Sequence, residues 1–230
     1  MKLCSGGEIS IKGLAEAYVG EYASGKSEVA INRALELLAL DREVTLVDLD
    51  LVEPFYTLRP LKRALEEKGL RVVAWETSQT IGLGEAGNVI KPEMRWVLRR
   101  NGDVILDVGY GVDGLRTLNL LEETQNRKDL KVYVVVNVGR PMTSSVEDIV
   151  AYVSDMGKVD GLINNSHLGD ETTADFVQNG AVVVKNAADI LNIPLVATYA
   201  EERLLDALGT KDITGTPVKG IKRHMKTSFW

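Results

Sequence analysis

The chain has 230 residues, a formal net charge of −6 and 45 % hydrophobic residues. This length and apolar content suit one large α/β domain, and the negative charge disfavours a general nucleic-acid surface. No run of 18 apolar residues and no apolar leader stretch is present, so neither a membrane span nor a secretory signal is expected. Because the single cysteine, Cys4, cannot form an internal disulfide, a reducing cytoplasmic location is predicted.

Short β-rich segments alternate with helical patterns along the chain. Several of the β-rich segments are continuous apolar runs, which are typical of strands buried on both faces of a parallel sheet. The predicted strands cover 15–19, 43–48, 71–75, 104–108, 131–137, 161–164 and 194–197. The predicted helices lie near 26–40, 57–68, 92–100, 114–127, 143–156, 171–179, 183–191 and 200–208. The pattern predicts a doubly wound α/β fold with a mostly parallel sheet and helices on both faces. A single domain is expected over 1–230, with 219–230 as a basic C-terminal tail.

The most specific motif is the segment 20–27, which reads Gly-Glu-Tyr-Ala-Ser-Gly-Lys-Ser. It matches the phosphate-binding P-loop pattern, and a predicted strand and helix flank it as the motif requires. Gly20 and Gly25 allow the backbone to curl with its N–H groups pointing toward a polyphosphate. Lys26 can reach the β- and γ-phosphates, and the Ser27 hydroxyl can bind Mg²⁺. The residues predicted to bind the nucleotide phosphates are therefore Gly20, Ala23, Ser24, Gly25, Lys26 and Ser27.

Carboxylates end two of the predicted strands. Asp48 and Asp50 are spaced i, i+2, so their side chains point to the same side, and Asp107 ends a later strand. Because the carboxyl ends of parallel strands meet at one edge of the sheet, all three are expected near the P-loop. Asp48 or Asp50 could hold Mg²⁺ through water while the other orients the attacking water, and Asp107 could bind the Mg²⁺ hydration shell. A polar turn or a helix cap is the alternative for each carboxylate.

The strand predicted at 161–164 ends in Asn164 and Asn165, whose amides can both donate and accept hydrogen bonds toward a purine edge. GTP-specific proteins usually show Asn-Lys-x-Asp at this place, whereas this chain reads Asn-Asn-Ser-His. Without the base-reading aspartate, adenine is favoured over guanine. Asn137 is a second candidate for the base contact, and His167 is expected to be a surface residue.

The segment 82–87 reads Gly-Leu-Gly-Glu-Ala-Gly and imitates a dinucleotide-binding fingerprint. The helix of such a fingerprint would run through Pro92, which would break it, so Pro92 is predicted to begin a helix instead. The loop 78–91 is therefore interpreted as a switch or a substrate lid, and NAD binding is the less favoured alternative.

These motifs, in this order over residues 15 to about 200, resemble the MinD/ParA and CobQ/CobB-type P-loop NTPases. This group includes nitrogenase iron protein and dethiobiotin synthetase. The resemblance implies Mg·ATP binding and often nucleotide-dependent dimerisation, so a homodimer or a protein partner is expected. By matched position, Lys26 and Asp50 would be catalytic, with Asp50 orienting water. Asp107 would lie in the Mg²⁺ shell and Asn165 would contact adenine.

The chain also departs from this group. Glu21 stands where MinD/ParA-like members carry a second, signature lysine, and it is expected to face solvent or a basic partner. The paired cysteines of the iron protein are absent, so no iron–sulfur cluster is expected. No arginine finger stands out, although Arg59, Arg116 and Arg140 are candidates.

Three functions stay open at this point. The leading interpretation is slow ATP hydrolysis coupled to a conformational or assembly change. The alternatives are an ATP-dependent ligase or amidotransferase-like enzyme that activates a carboxylate, and a non-catalytic nucleotide-binding adaptor.

Overall fold

The computed structural model describes residues 12–50, 58–75 and 90–225. The strands in these ranges are β1 Lys12–Gly20, β2 Val44–Leu49, β3 Arg71–Val73, β4 Gly102–Tyr110, β5 Leu130–Val136, β6 Gly161–Asn164, β7 Leu195–Glu201 and β8 Val218–Ile221. They form one sheet in the order β3-β2-β4-β1-β5-β6-β7-β8, and each pair of neighbours is parallel. The predicted parallel sheet is confirmed.

The α-helices in the described ranges are α1 Lys26–Leu38, α2 Lys62–Glu66, α3 Pro92–Arg95, α4 Gly111–Arg116, α5 Val146–Met156, α6 Ala174–Leu191 and α7 Leu205–Leu208. Short 3-10 turns lie at Arg59–Leu61, Val97–Arg99, Thr117–Leu120, Pro141–Thr143 and Glu202–Leu204. Pro92 is the first residue of α3, as its restricted backbone predicted. The fingerprint-like segment 82–87 lies outside the described residues, as do Cys4 and most of the 78–91 loop.

Apolar side chains pack on both faces of the sheet, as a doubly wound fold requires. Successive residues of β1 point to opposite faces, so Ala17 joins the cluster with Ile149 of α5 while Tyr18 joins the cluster with Ile31 of α1. The central strands β1, β2 and β4 are almost entirely buried, which agrees with their continuous apolar runs.

One predicted break in a helix is absent. Residues 171–179 and 183–191 were assigned to two helices, but α6 runs unbroken from Ala174 to Leu191. Gly180 lies where α6 packs closely against the loop after β6. A Cβ at this position would lie 2.3 Å from the Ser166 Oγ and 3.1 Å from the Asn164 Oδ1. Glycine therefore allows α6 to approach the loop that follows β6.

Part of the predicted basic C-terminal tail, 219–230, belongs to the sheet. Val218–Ile221 form β8, which pairs with β7, and residues 222–225 continue across α1. The segment 218–221 is short and contains Lys219 and Gly220, so it lacks the apolar run by which the other strands were predicted. Pairing with β7, rather than local sequence, makes it a strand.

The parallel arrangement gathers the carboxyl ends of the central strands at one edge of the sheet. Asp48 of β2 and Asp107 of β4 are direct neighbours in the register, and Gly20 at the end of β1 lies opposite Tyr110 and Val135. The predicted functional residues therefore converge at this edge. Within the described ranges, no helix combines the length and the apolar character needed to cross a membrane.

Candidate functional site

The loop between β1 and α1 has the backbone shape of a phosphate cradle. Gly25 immediately precedes α1 with a φ of +82°, in the left-handed region that favours glycine. Ala23 also has a positive φ, of +55°, and Ser24 N donates to Glu21 O at 3.1 Å. A Cβ on Gly25 would lie only 2.3 Å from the Asn165 Nδ2, so space as well as φ requires glycine here. Such a curled backbone exposes N–H groups to an anion in front of the helix N-terminus.

Buried charges surround the start of α1. The Lys26 Nζ lies 3.6 Å from the Asp50 Oδ2, and both side chains are buried. Asp48 and Asp107 are fully buried beside them, and the Arg59 Nε donates to the Asp48 Oδ2 at 3.1 Å. Lys26 and Arg59 therefore face a larger number of carboxylates, which leaves excess negative charge in a region of low dielectric.

Asp107 carries the least compensated of these charges. Within the described part of the chain, neither of its carboxylate oxygens has a hydrogen-bond partner. Burial raises the pKa of Asp107 to about 8, and the charge of Asp48 raises it further against the opposing effects of Lys26 and the nearby Ser27 hydroxyl. Ser27 is thus close to Asp107 without completing a hydrogen bond. A buried, unpartnered carboxylate beside a hydroxyl fits an oxygen-ligated cation such as Mg²⁺.

Asp48 is engaged differently. Its Oδ2 accepts from Arg59 and its Oδ1 accepts from the Asp50 N at 3.0 Å. Burial raises the pKa of Asp48 to about 6, against the lowering effect of the Arg59 charge. Asp48 therefore orients Arg59 and the backbone of Asp50, and its direct binding of a metal stays a prediction.

The described ranges contain no group of three or more His, Cys, Asp or Glu side chains able to hold a metal by themselves. Mg²⁺ commonly takes one or two protein ligands and completes its shell with water and substrate phosphates. Ser27 and Asp107 fit this incomplete type of site.

A pocket opens on the other side of Gly25, between α1, the loop after β6 and the end of β7. Asn165 is one of its lining residues, and the Asn165 Nδ2 donates to the Ser24 O at 2.8 Å, which holds the loop after β6 against the P-loop. Its lining residues include Gly25, Asn165, His167, Tyr199, Ala200 and Met225. The pocket therefore adjoins the predicted phosphate loop at Gly25.

The other two asparagines considered for the base contact have structural roles. The Asn164 Nδ2 donates to the Val177 O and the Thr198 Oγ1. The Asn137 Oδ1 accepts from the backbone N of Gly139 and of His167, so it ties two loops together. Of the three asparagines, Asn165 lines the pocket.

His167 is not the surface residue that was expected. It lines the pocket, and its Nε2 would lie 3.4 Å from a Cβ placed on Gly25. Burial lowers the pKa of His167 to about 4, and the positive charges of Arg140 and Arg223 lower it further. The imidazole is therefore neutral at neutral pH and can donate or accept one hydrogen bond at each nitrogen.

Glu21 also lies elsewhere than expected. It is half-buried, and its charge raises the pKa of the neighbouring Tyr152, which burial raises most. The Tyr152 hydroxyl accepts from the Gly111 N at 3.1 Å, so this tyrosine links the P-loop region to the start of α4.

Two of the three arginine candidates lie near the phosphate cradle. Arg59 pairs with Asp48, and the Arg140 Nε donates to the Ala23 O at 3.2 Å. Arg116 is exposed and pairs with Asp113. The pocket residues Arg223 and Met225 were missed because they lie in the segment interpreted as a tail.

The parallel sheet and the P-loop at its edge define the fold of the P-loop NTPases. Similar solved structures are FtsY proteins. FtsY from Thermotoga maritima has a TM-score of 0.58 at 17 % identity, covering 84 % of this chain and 63 % of that one. The signal recognition particle receptor FtsY of Elizabethkingia anophelis, in complex with GDP, has a TM-score of 0.58 at 15 % identity, with coverages of 83 % and 58 %. Chloroplast FtsY from Physcomitrella patens has a TM-score of 0.51 at 17 % identity, with coverages of 80 % and 58 %.

At these identities the likeness is one of fold, and the chain spans about three fifths of the length of these FtsY structures. It shows the fold that these FtsY proteins share, and none of the three is a MinD/ParA- or CobQ/CobB-type protein. No family model matches the sequence, and no curated protein matches it significantly.

Proposed function

We propose that the protein is a Mg²⁺-dependent, ATP-binding P-loop NTPase that hydrolyses ATP slowly to drive a conformational or assembly change. The observation that carries the proposal is the convergence of the curled P-loop, the buried Lys26 and Asp107 at one edge of the sheet, where Asp107 has no hydrogen-bond partner among the described residues. A buried cluster with uncompensated charge costs stability, and such a cost is typical of functional sites.

The phosphate side of the site follows from this geometry. The backbone N–H groups from Gly20 to Gly25 would surround the phosphates, and the Lys26 ammonium would exchange its contact with Asp50 for the β- and γ-phosphates. Released from Lys26, the Asp50 carboxylate could accept a hydrogen bond from the attacking water and orient it. Ser27 and Asp107 would hold Mg²⁺, which would neutralise charge on the phosphates.

The pocket side supports a purine, and adenine in particular. Tyr199, Ala200 and Met225 provide apolar surface for a flat ring, and the Asn165 amide retains a second donor hydrogen and an acceptor oxygen. GDP in a structural neighbour makes guanine the alternative that binding experiments must address.

The first test is calorimetric titration of non-hydrolysable ATP and GTP analogues in the presence of Mg²⁺. We expect binding of the ATP analogue by the wild type and at least about 100-fold weaker binding by Lys26→Ala, because the ammonium contacts two phosphates. Lys68→Ala, at an exposed position after helix α2, is a control for the loss of one lysine. Absence of binding by the wild type at protein concentrations that detect millimolar affinity would refute the proposal.

The second test follows phosphate release from ATP. Slow release without an added acid, reduced by Asp50→Asn, would support hydrolysis. Release that requires a small carboxylic acid would favour the ligase alternative, and binding without turnover would favour the adaptor.

A further inference from the structure

The segment that follows β8 is fastened to α1 through its backbone. The Lys222 N donates to the Asn32 Oδ1, and the Asn32 Nδ2 donates to the Lys222 O, both at 2.9 Å. The backbone N of His224 and of Met225 donate to the Glu28 Oε1 at 2.8 and 2.6 Å. Because Glu28 and Asn32 are one helical turn apart, they form a continuous docking edge. We call residues 222–225 the strap.

The strap forms a wall of the pocket. Arg223 and Met225 line the pocket together with Ile221, the last residue of β8. Met225 is buried, so its thioether contributes apolar surface, while Arg223 reaches across to the loop after β6. A ligand in this pocket would therefore touch a segment almost 200 residues away in sequence from the P-loop helix.

The strap also occupies the carboxylates that line the described pocket, Glu28 and Glu201. Glu28 accepts the backbone hydrogen bonds of the strap. The Glu201 Oε1 lies 3.2 Å from the Arg223 Nε, and the Glu201 Oε2 accepts from the Arg203 Nε at 2.6 Å. A second arm of Arg223 donates to Asp170 at 2.6 Å, which fixes the guanidinium between two acids.

These pairings bear on which purine can bind. Guanine presents two adjacent donors, the N1–H and the N2 amino group, which a free carboxylate accepts well. Adenine presents one amino donor beside an acceptor nitrogen, which an amide such as Asn165 can match. A carboxylate already paired with arginine or with backbone amides is a poor partner for the guanine donors, and an unmatched buried donor is costly.

We propose that the strap selects adenine over guanine by occupying both carboxylates that line the pocket, with Arg223 as the residue that determines this specificity. The inference rests on the proposed nucleotide binding and adds the residues that choose the base. Arg223 acts through Glu201, and Glu28 is a positioning residue that fixes the strap.

The test measures dissociation constants for AMP-PNP and GMP-PNP, with Mg²⁺, in the wild type and in Arg223→Met. The methionine keeps an apolar stem but frees the Glu201 Oε1, while the Glu201 Oε2 stays paired with Arg203. We expect the ratio of the GMP-PNP constant to the AMP-PNP constant to fall about tenfold, mainly through tighter GMP-PNP binding. Lys222→Met is the matched control, because it removes one positive charge from the same strap but from an exposed side chain paired with Glu202. It should leave the ratio within about twofold.

A double variant tests whether Arg223 acts through Glu201. Adding Glu201→Gln to Arg223→Met removes the freed carboxylate, so selectivity should return toward the wild-type ratio. Melting temperatures of all variants verify that each is folded at the titration temperature.

The outcomes separate the two proposals. An unchanged ratio in Arg223→Met, or a wild type that binds both analogues equally, would overturn the role of the strap while leaving nucleotide binding intact. No binding of either analogue by the wild type would instead refute the proposed function and the strap's role with it.

Discussion

The predicted phosphate side of the site, around Lys26, and the proposed base side, the pocket beside Asn165, differ in how their buried charges are compensated. Around Lys26, buried carboxylates exceed their cations, and Asp107 has no hydrogen-bond partner in the described ranges. On the base side the carboxylates Glu28 and Glu201 are paired, and His167 is neutral at neutral pH. The phosphate side therefore has carboxylates that a bound cation could compensate, whereas the carboxylates of the base side already have partners within the protein.

This difference predicts opposite responses to pH. The pKa of Asp107 is higher in the folded state than in the unfolded state. The contribution of this carboxyl to the free energy of unfolding is therefore fully present below its unfolded-state pKa of about 3.8 and is lost as the pH rises through about 8. The pKa of His167 is lower in the folded state than in the unfolded state. The contribution of this imidazole to the free energy of unfolding is therefore present above its unfolded-state pKa of about 6.5 and is lost as the pH falls toward about 4. The following variants would sharpen or break this contrast.

The largest effect is expected at Arg59, the buried cation of the phosphate side. Arg59→Met would remove the cation that opposes the burial of Asp48, so the pKa of Asp48 would rise further and the free energy of unfolding at neutral pH should fall by about 3–5 kcal/mol. Chemical denaturation measures this loss. Arg63→Met, which removes an exposed arginine paired with Glu67, should cost less than about 0.5 kcal/mol. If Arg59→Met were equally harmless, the phosphate side would not depend on charge balance.

The next effect is expected at Asp107, where stability and ligand binding should change in opposite directions. Asp107→Asn should weaken binding of the Mg²⁺-bound ATP analogue about 100-fold, which corresponds to roughly 2.7 kcal/mol. Without ligand, the variant should be more stable than the wild type by about 1–2 kcal/mol at pH 7.5, since folding at this pH must bind a proton to the buried Asp107 carboxyl, whereas the asparagine amide is neutral in both states. Titration and denaturation measure the two quantities.

The pH dependence provides the check for this variant. As the pH falls toward the unfolded-state value of about 3.8, folding requires less and less proton uptake by the Asp107 carboxyl, so the stability difference from Asp107→Asn should shrink toward zero. A constant difference from pH 4 to pH 8 would contradict the assignment.

On the base side, stability should depend more on steric fit than on charge compensation. Gly180→Ala would place a methyl group 2.3 Å from the Ser166 Oγ, so it should cost about 1–2 kcal/mol of stability although alanine favours helices. It should also displace the loop that carries Asn165 and weaken nucleotide binding. Asn179→Ala, at the exposed neighbouring position of α6, should be neutral or slightly stabilising. Equal stability of the two variants would show that the close approach is dispensable.

The smallest effect is expected at His167. Between pH 6.5 and pH 4 the wild type should lose about 1 kcal/mol more stability than His167→Gln, because protonating the partly screened imidazole opposes folding. Denaturation curves at pH 7 and pH 4.5 measure this difference. A parallel decline of the two proteins would mean that the imidazole is not held neutral by the pocket.

Much of the phosphate side could be predicted from the sequence. The glycine and lysine spacing of residues 20–27 reflects a local backbone demand, and the structure shows the corresponding positive φ at Gly25. The apolar runs predicted the central strands for the same local reason, since burial on both faces requires apolar residues at successive positions. Asp48 and Asp107 were expected at the same edge of the sheet, and they are register neighbours near the carboxyl ends of the parallel strands β2 and β4.

The sequence could not show whether Asp48 or Asp107 would form an ion pair with an arginine. Arg59, eleven residues beyond Asp48, reaches it only through the fold, and no pattern distinguishes it from the other arginines. The base side was less predictable still, because His167, Tyr199 and Met225 come from separate segments with no shared spacing.

The sequence by itself therefore determined the parallel α/β sheet and the phosphate cradle, since both depend on neighbouring residues and short periodicities. Tertiary structure alone decided that Gly180 continues a helix, that Val218–Ile221 form a strand, and that the strap forms a wall of the pocket beside Asn165. These outcomes depend on side-chain and backbone contacts between distant segments, and such contacts have no local signature in the chain.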